Sequence, residues 1–315
     1  MKPKIVIVGS SNTDMVIKAD HLPAPGETIL GGTFFMNPGG KGANQAVAAA
    51  RLGGNVTFIC KTGNDIFGRQ SIQLFEEEGI NTAYLVSDSK HPSGVALIAV
   101  DKNAENCIVV ASGANATLSP SDLCQAKQAV EQSSMVLMQL EIPLDTVAYV
   151  ASTAFEKGIK VVLNPAPACD LSDALLRNIS IITPNKTEAE MFTGIKVHNM
   201  ESAQKAAQKI KDRGVETVII TLGSNGAVVL HEGTFTHVSA CPVAAIDTTA
   251  AGDVFNGALV VALSEGKNIL DATAFACKAS AISVTRLGAQ SSAPYKNEVD
   301  AFAIKDKVNE EKVTG

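Results

Sequence analysis

Runs of β-branched residues, apolar on both faces, recur along this chain, and each is followed by a turn and an amphipathic stretch. The runs are Lys4–Val8, Val56–Cys60, Met135–Leu140, Lys160–Leu163, Ile179–Thr183 and Thr217–Leu222. A strand apolar on both sides belongs between two helical layers, so these runs predict a parallel sheet. Segments of helical period fall between or after them: Asn44–Leu52, Ser71–Glu78, Asp145–Lys157, Ser202–Arg213 and Ile269–Thr285. Such alternation predicts an α/β fold with a doubly wound, mainly parallel central sheet flanked by helices.

Residues 14–36 and 93–111 break the alternation. They read as short strands with polar interruptions, such as Gly94–Asp101 and Asn106–Ala111, and are expected to pair in space as a small β-sheet. A small sheet with one free face is a candidate lid over a site, or a dimer surface. The expected organisation is an α/β core of residues 1–13, 37–92 and 112–304, a β lid of 14–36 and 93–111, and a charged tail at 305–315.

Composition narrows the function classes. The net charge is −6 and the pI is near 5.4, which argues against broad attraction to nucleic acid or anionic membrane, so any phosphate must be held locally. The six cysteines (Cys60, Cys107, Cys124, Cys169, Cys241 and Cys277) form no C-x-x-C pair, as expected of free thiols in a reducing compartment. The apolar run near the start is too short for a signal-peptide core, and no stretch of about 18 apolar residues occurs. A cytoplasmic location is expected.

In open α/β sheets ligands sit beyond the carboxyl ends of the strands. Polar and glycine-rich residues gather there repeatedly: Gly9–Asp14, Gln139–Glu141, Asn164–Pro167, Thr183–Asn185 and Thr221–Gly226. The segment Asp247-Thr-Thr-Ala-Ala-Gly-Asp253, followed by Val-Phe-Asn-Gly and an apolar helical run, carries most chemistry. Small residues ahead of a helix let its free N–H groups cradle an anion, and the first turn is partially positive. Asp253 is placed there to take a proton from an attacking hydroxyl. The plain alternative, a helix cap, suits an isolated Asp better, but the Ala-Ala-Gly approach and the other polar strand ends favour the base.

The segment Asn37-Pro-Gly-Gly-Lys-Gly-Ala-Asn-Gln45 is not a P-loop, because Phe35 stands where the first glycine belongs and Gly42 where Ser or Thr belongs. It leaves a close backbone approach with Lys41 and Asn44 on one helical face, suited to a polyhydroxyl ligand. Asn12 and Asp14 alternate to one side of an extended segment and can grip vicinal hydroxyls, although an Asx turn explains the pair as well. Asn185 and Glu188 sit at a strand-to-helix junction, fit for phosphate and hydrated Mg²⁺. Thr221–Gly226 can offer amides to phosphate or merely reverse the chain, and Phe275–Val284 can wall a base or merely pack.

Together these segments resemble the ribokinase family, within the wider group of PfkB-type carbohydrate kinases, from about Ile5 to Phe302. The signatures are Gly39-Gly-Lys-Gly-Ala-Asn-Gln-Ala46 and Asp247-Thr-Thr-Ala-Ala-Gly-Asp-Val-Phe-Asn-Gly257, with Met138-Gln-Leu-Glu141 and Asn164-Pro-Ala-Pro167 pointing to that family in particular. The resemblance implies transfer of the ATP γ-phosphoryl group to O5 of ribose. Asp253 matches the base, and Ala250, Ala251 and Gly252 the anion hole. Asn12, Asp14, Gly40, Lys41, Asn44, Glu141 and Asp253 match the sugar site. Asn185, Glu188, Thr221, Gly223, Ser224, Gly226, Gly252 and Cys277 match the ATP side, Cys277 standing where Asn or His is usual.

Asp247, Thr249, Ser283, Arg286, Gly288 and Ser292 match loops that hold an activating potassium ion. Mg²⁺ is implied through phosphates and water near Asn185 and Glu188, and a homodimer through the lid strands. A dinucleotide-dependent oxidoreductase is disfavoured, since no G-x-G-x-x-G turn follows the first strand. A silent sugar sensor would need a damaged base or anion hole. Kinases for 2-deoxyribose or a nucleoside are the nearer rivals.

Overall fold

The computed structural model describes residues 2–103 and 105–302, so the charged tail at 305–315 lies outside the described residues. From the amino end, β1 (Lys4–Val8), β2 (Asn12–Lys18) and β3 (Thr33–Gly39) lead into α1 (Lys41–Arg51), then β4 (Asn55–Ile59) and β5 (Lys61–Gly63) into α2 (Ile66–Glu77). Next come β6 (Val86–Asp88), β7 (Gly94–Val100), β8 (Asn106–Ala111), α3 (Lys127–Glu131), β9 (Met135–Met138), α4 (Leu144–Phe155), β10 (Lys160–Leu163) and α5 (Asp173–Leu176). The carboxyl half runs β11 (Ile181–Ile182), α6 (Lys186–Thr193), α7 (Met200–Lys211), β12 (Thr217–Thr221), β13 (Ala227–His231), β14 (Thr234–Val238), α8 (Ala251–Ser264), α9 (Ile269–Ser283) and α10 (Lys296–Ala301).

The main sheet has eight strands in the order β14-β13-β12-β11-β10-β9-β1-β4. Pairing is parallel from β12 to β4 and antiparallel at the β13–β14 hairpin. Strand period splits β1 between two cores. Ile5 and Ile7 pack with α1, α8 and α9, while Val6 and Val8 pack with residues of α4 and α7. A strand buried on both sides is what the β-branched runs foretold.

Several element bounds moved for local reasons. Helix α2 starts ahead of the expected Ser71 because Asp65 caps it, its carboxylate accepting from the Gly68 amide at 2.8 Å. Strand β11 keeps only Ile181 and Ile182 of the expected run, ending just before Pro184.

A second sheet of order β3-β2-β7-β8 contains both segments that lacked helical pattern. Its strands extend beyond residues 14–36 at both ends, to Asn12 and Gly39. Register gives it two unlike faces. Asn12, Asp14 and the buried Val16 share one. Met15, Ile17, Phe34, Met36, Leu97 and Val109 share the other, where Phe34 is 59 % and Leu97 54 % exposed.

Candidate active site

Helices α1 and α8 both begin at the carboxyl edge of the main sheet, and the side chains converge between them. Asp253, 5 % exposed, lies in the first turn of α8. Its Oδ2 accepts from Asn44 Nδ2 and its Oδ1 from Gln45 Nε2, each at 2.9 Å. Burial pushes its carboxyl upward, against the Lys41 charge and those two amides, while Glu141 adds to the rise. Burial alone would lower the Lys41 ammonium, but the carboxylates of Asp253, Glu141 and Glu188 hold it above its ordinary value. Asp253 is no simple cap: α8 is preceded by Ala250 in the left-handed region at φ 57°, and no side chain caps it.

Beside Asp253 stands a set of groups suited to hydroxyls. Gly40, at φ 88°, brings the start of α1 so near the β1–β2 loop that a Cβ there would lie 2.7 Å from the Asn12 amide nitrogen. Asp14 is pushed up to about 6, first by burial and then by the charges of Glu141 and Asp253. Glu141 Oε2 accepts from Ser10 Oγ at 2.5 Å and from the Lys41 amide at 3.0 Å. Asn12 Oδ1 accepts from Asn115 Nδ2 at 2.8 Å, so the pair Asn12 and Asp14 forms no Asx turn but lies in a strand. Asn44 Oδ1 is buried and has no partner among the described residues, so it is an acceptor free for a ligand.

The other half of the cleft is built around the α8 N-terminus. The Ala251 amide donates to the Thr248 carbonyl at 3.2 Å, while those of Gly252 and Asp253 have no backbone partner among the described residues. A cavity of about 210 Å³ is lined by Lys41, Asn185, Glu188, Thr221, Ala250–Asp253 and neighbours. A second, of about 560 Å³, shares Thr221, Thr248, Ala251 and Gly252 with it and extends over Gly223, Ser224, Gly226, Val243, Phe255 and Cys277. The two meet at the free amides, so one continuous cleft runs from an apolar pocket past the α8 N-terminus to the carboxylate of Asp253. Burial, then Cys241, pushes the Cys277 thiol up to about 12, so it lines the wall as a neutral thiol. A larger cavity, about 710 Å³, opens beside Lys160 and Thr217 at the opposite edge of the sheet and touches none of these residues.

Asn185 and Glu188 form a capping box on α6: Asn185 Oδ1 accepts from the Glu188 amide at 2.9 Å, and Glu188 Oε2 from the Asn185 amide at 2.8 Å. Their second contact, Asn185 Nδ2 to Glu188 Oε1 at 2.9 Å, leaves both side chains occupied with each other while facing the cavity. Burial pushes the Glu188 carboxyl upward, against the Asn185 amide and Lys41. Such a pair reaches a cation through water more readily than by direct ligation, and no cluster of three or more metal-ligating side chains occurs among the described residues.

The loops ahead of α8 and after α9 are tied together. Asp247 Oδ1 accepts from the Thr249 amide and Oδ2 from the Gly288 amide, each at 2.9 Å, while the Asp247 amide donates to the Val284 carbonyl. Although burial opposes it, these hydrogen bonds hold the carboxyl below its ordinary value. Arg286 pairs with Glu298 at 2.5 Å, and the hydroxyls of Ser283 and Ser292 donate to the Ser280 and Ala289 carbonyls. The carbonyls of Thr249, Arg286 and Gly288 accept no hydrogen bond among the described residues. One anion among unused carbonyls is the donor set a large monovalent cation takes.

Sequence reasoning assigned no role to the residues that hold this site together. Gln45, Gln139, Asn164, Thr183 and Asn256 form a buried amide and hydroxyl network behind Asp253. Gln139, Asn164 and Thr183 were visible as strand-end residues. Asn115 gave no signal, because its partner Asn12 lies far away in sequence.

Residues 2–296 match the family described as pfkB family carbohydrate kinase. A protein named ribokinase from Haemophilus influenzae is 49% identical over 302 residues, covering 96% of this chain and 99% of the relative. One named deoxyribokinase, from Salmonella typhi, is 37% identical over 291 residues, covering 92% and 95%. A solved structure of Arabidopsis thaliana ribokinase complexed with ribose and ATP aligns with TM-score 0.92 at 32% identity, covering 96% of this chain and 100% of that one. The chain belongs to the pfkB family of carbohydrate kinases.

Proposed function

We propose that this chain is an ATP-dependent ribokinase, with Asp253 as the base. The observation that carries the reading is Asp253 itself: a buried carboxylate with a neutral donor on each oxygen, beside unpaired helix amides and the free acceptor Asn44 Oδ1. A primary hydroxyl bound there gives its proton to the carboxylate as its oxygen attacks the γ-phosphorus. The O5–P bond forms, the bond from phosphorus to the β,γ-bridging oxygen breaks, and ADP leaves. The free amides of α8 and Lys41 face the charge on the transferring group. Asn12, Asp14, Gly40, Lys41, Asn44 and Glu141 hold the sugar. Thr221, Gly223, Ser224, Gly226 and Cys277 line the nucleotide side.

Ribose is favoured over 2-deoxyribose because the identity to the relative named ribokinase exceeds that to the one named deoxyribokinase. Mg²⁺, reached through water from Asn185 and Glu188, supplies charge neutralisation of the phosphates when bound. Potassium is assigned to Asp247 and the carbonyls of the 249 and 286–288 loops. The four-stranded sheet is read as a lid whose outer apolar face joins two copies in a homodimer. A cytoplasmic location fits the free cysteines among the described residues and the lack there of a helix long and apolar enough to cross a membrane.

An assay of ADP release with ribose, 2-deoxyribose, fructose and adenosine tests the reading. Ribose should give the highest kcat/KM, and Asp253→Asn should lose at least about 10²-fold in kcat while keeping sugar affinity. Preference for another of the four compounds, or a near-normal rate in Asp253→Asn, overturns the assignment.

A further inference from the structure

Behind Asp253 the polar groups are arranged in a definite direction. Gln45 is fully buried and spends every polar atom: its Nε2 donates to Asp253 Oδ1 at 2.9 Å and to Asn164 Oδ1 at 3.0 Å, and its Oε1 accepts from Gln139 Nε2 at 2.5 Å. A side-chain amide can be turned over, exchanging donor for acceptor. Here the reversed form would set Oε1 against two carbonyl-type oxygens and the NH₂ group against another. The ionised Asp253 carboxylate, which can only accept, excludes the flip, and Asn164 and Gln139 as oriented agree with it. Gln139 and Asn164 each stand one residue beyond Met138 and Leu163, which are register partners on β9 and β10. The anchor of Gln45 is therefore the ends of two strands paired side by side in the central sheet.

We infer that Gln45 is a positioning residue for the transfer reaction: anchored through Gln139 and Asn164, it fixes the orientation of the Asp253 carboxylate and keeps it ionised. This rests on the reading of Asp253 as the base. A carboxylate free to rotate would offer the hydroxyl proton a lone pair only part of the time, and one short of a donor would have its carboxyl pushed further upward by burial. Asn44 cannot do the task alone. It reaches only Oδ2, and its own carbonyl has no partner until a ligand arrives. The charged groups around Asp253 are Lys41 on α1, Glu141 after β9, Glu188 on α6 and Asp14 on β2. None touches Oδ1, so the field they set stays in place when Gln45 is changed.

The test compares Gln45→Met, Gln139→Met and Asp253→Asn with the parent enzyme, reading kcat, ribose KM and the acidic limb of kcat. Gln45→Met keeps length and burial but removes the donor. Its kcat should fall roughly ten- to a hundredfold, with ribose KM nearly unchanged. Because the lost donor favoured the anion, the acidic limb should move to higher pH. Gln139→Met leaves the Gln45 amide free to turn and should give a smaller change of the same sign. In the double variant it should add little to Gln45→Met, since both act through one contact.

A folded Gln45→Met enzyme with an unmoved acidic limb overturns the inference and reduces Gln45 to packing. If Gln45→Met does not fold, Gln139→Met decides by the same limb. Asp253→Asn separates the two ideas: an active Asp253→Asn removes the base and the inference with it, whereas an inactive one beside an unmoved Gln45→Met limb removes the inference alone.

Discussion

Gly257 packs directly on the backbone of Gln45: a Cβ at 257 would stand 2.8 Å from the Gln45 carbonyl oxygen and 2.9 Å from the Ala48 Cβ. Asp253 lies one turn earlier on α8 and takes both its donors from α1. The separation of these two helices therefore sets the grip on the carboxylate. Gly257→Ala is expected to cost about 1–3 kcal/mol by overpacking and to lower kcat as well. Urea unfolding with an unchanged slope, read beside the rate, checks both halves of this expectation.

Asp14 should show a conflict between stability and binding. Its carboxyl is held at about 6 against an ordinary 3.8. A group raised in this way contributes stability that is complete below its unfolded pKa and is lost as pH rises through the folded one. Asp14→Asn should therefore gain stability relative to the parent between about pH 4 and 6, and keep that gain above it. The same change should weaken ribose binding by roughly ten- to a hundredfold, as loss of hydrogen bonds to a charged group does. Melting curves across pH, with ribose KM at pH 7.5, test it; a constant melting difference would refute the sign.

Asp247 ties two loops by its amide contacts, and the carbonyls of Thr249, Arg286 and Gly288 in those loops accept no hydrogen bond among the described residues. Exchanging potassium for sodium at fixed ionic strength should lower the rate of the parent enzyme. Asp247→Ala should be slow in both salts and insensitive to the exchange. An indifferent parent enzyme would remove the monovalent site.

Ile17 and Phe34 stand directly opposite one another on the exposed face of the small sheet. A charge there should split a dimer, because burying an unpaired carboxylate costs several kcal/mol. Sedimentation of Phe34→Glu should give the monomer mass where the parent enzyme gives twice that. Equal masses for the two would end the dimer assignment.

What was legible in the sequence followed from locality. The β-branched runs and the Asp247–Gly257 segment carry their meaning within a few residues, so the central sheet and the α8 N-terminus were readable. Asn185 and Glu188 were readable as a pair for the same reason, though the capping box they form with each other is a tie that spacing leaves open. Partners over long separations were not readable. Nothing about Gln45 names Gln139 or Asn164, since that contact exists only once β9 and β10 lie side by side. The β13–β14 hairpin also escaped, because Ala227–Val229 reads equally as strand or buried helix.

Strand β2 has an arrangement with a mechanical result. Asn12 and Asp14 look toward the cleft, and Met15 and Ile17, on the same peptide ribbon, look away. Whatever presses on the outward side pushes a carboxylate only one residue distant. Were two copies joined through Met15 and Ile17, their seam would run one residue away from Asp14 along the same strand, so the outer face and the cleft cannot be altered independently at this ribbon.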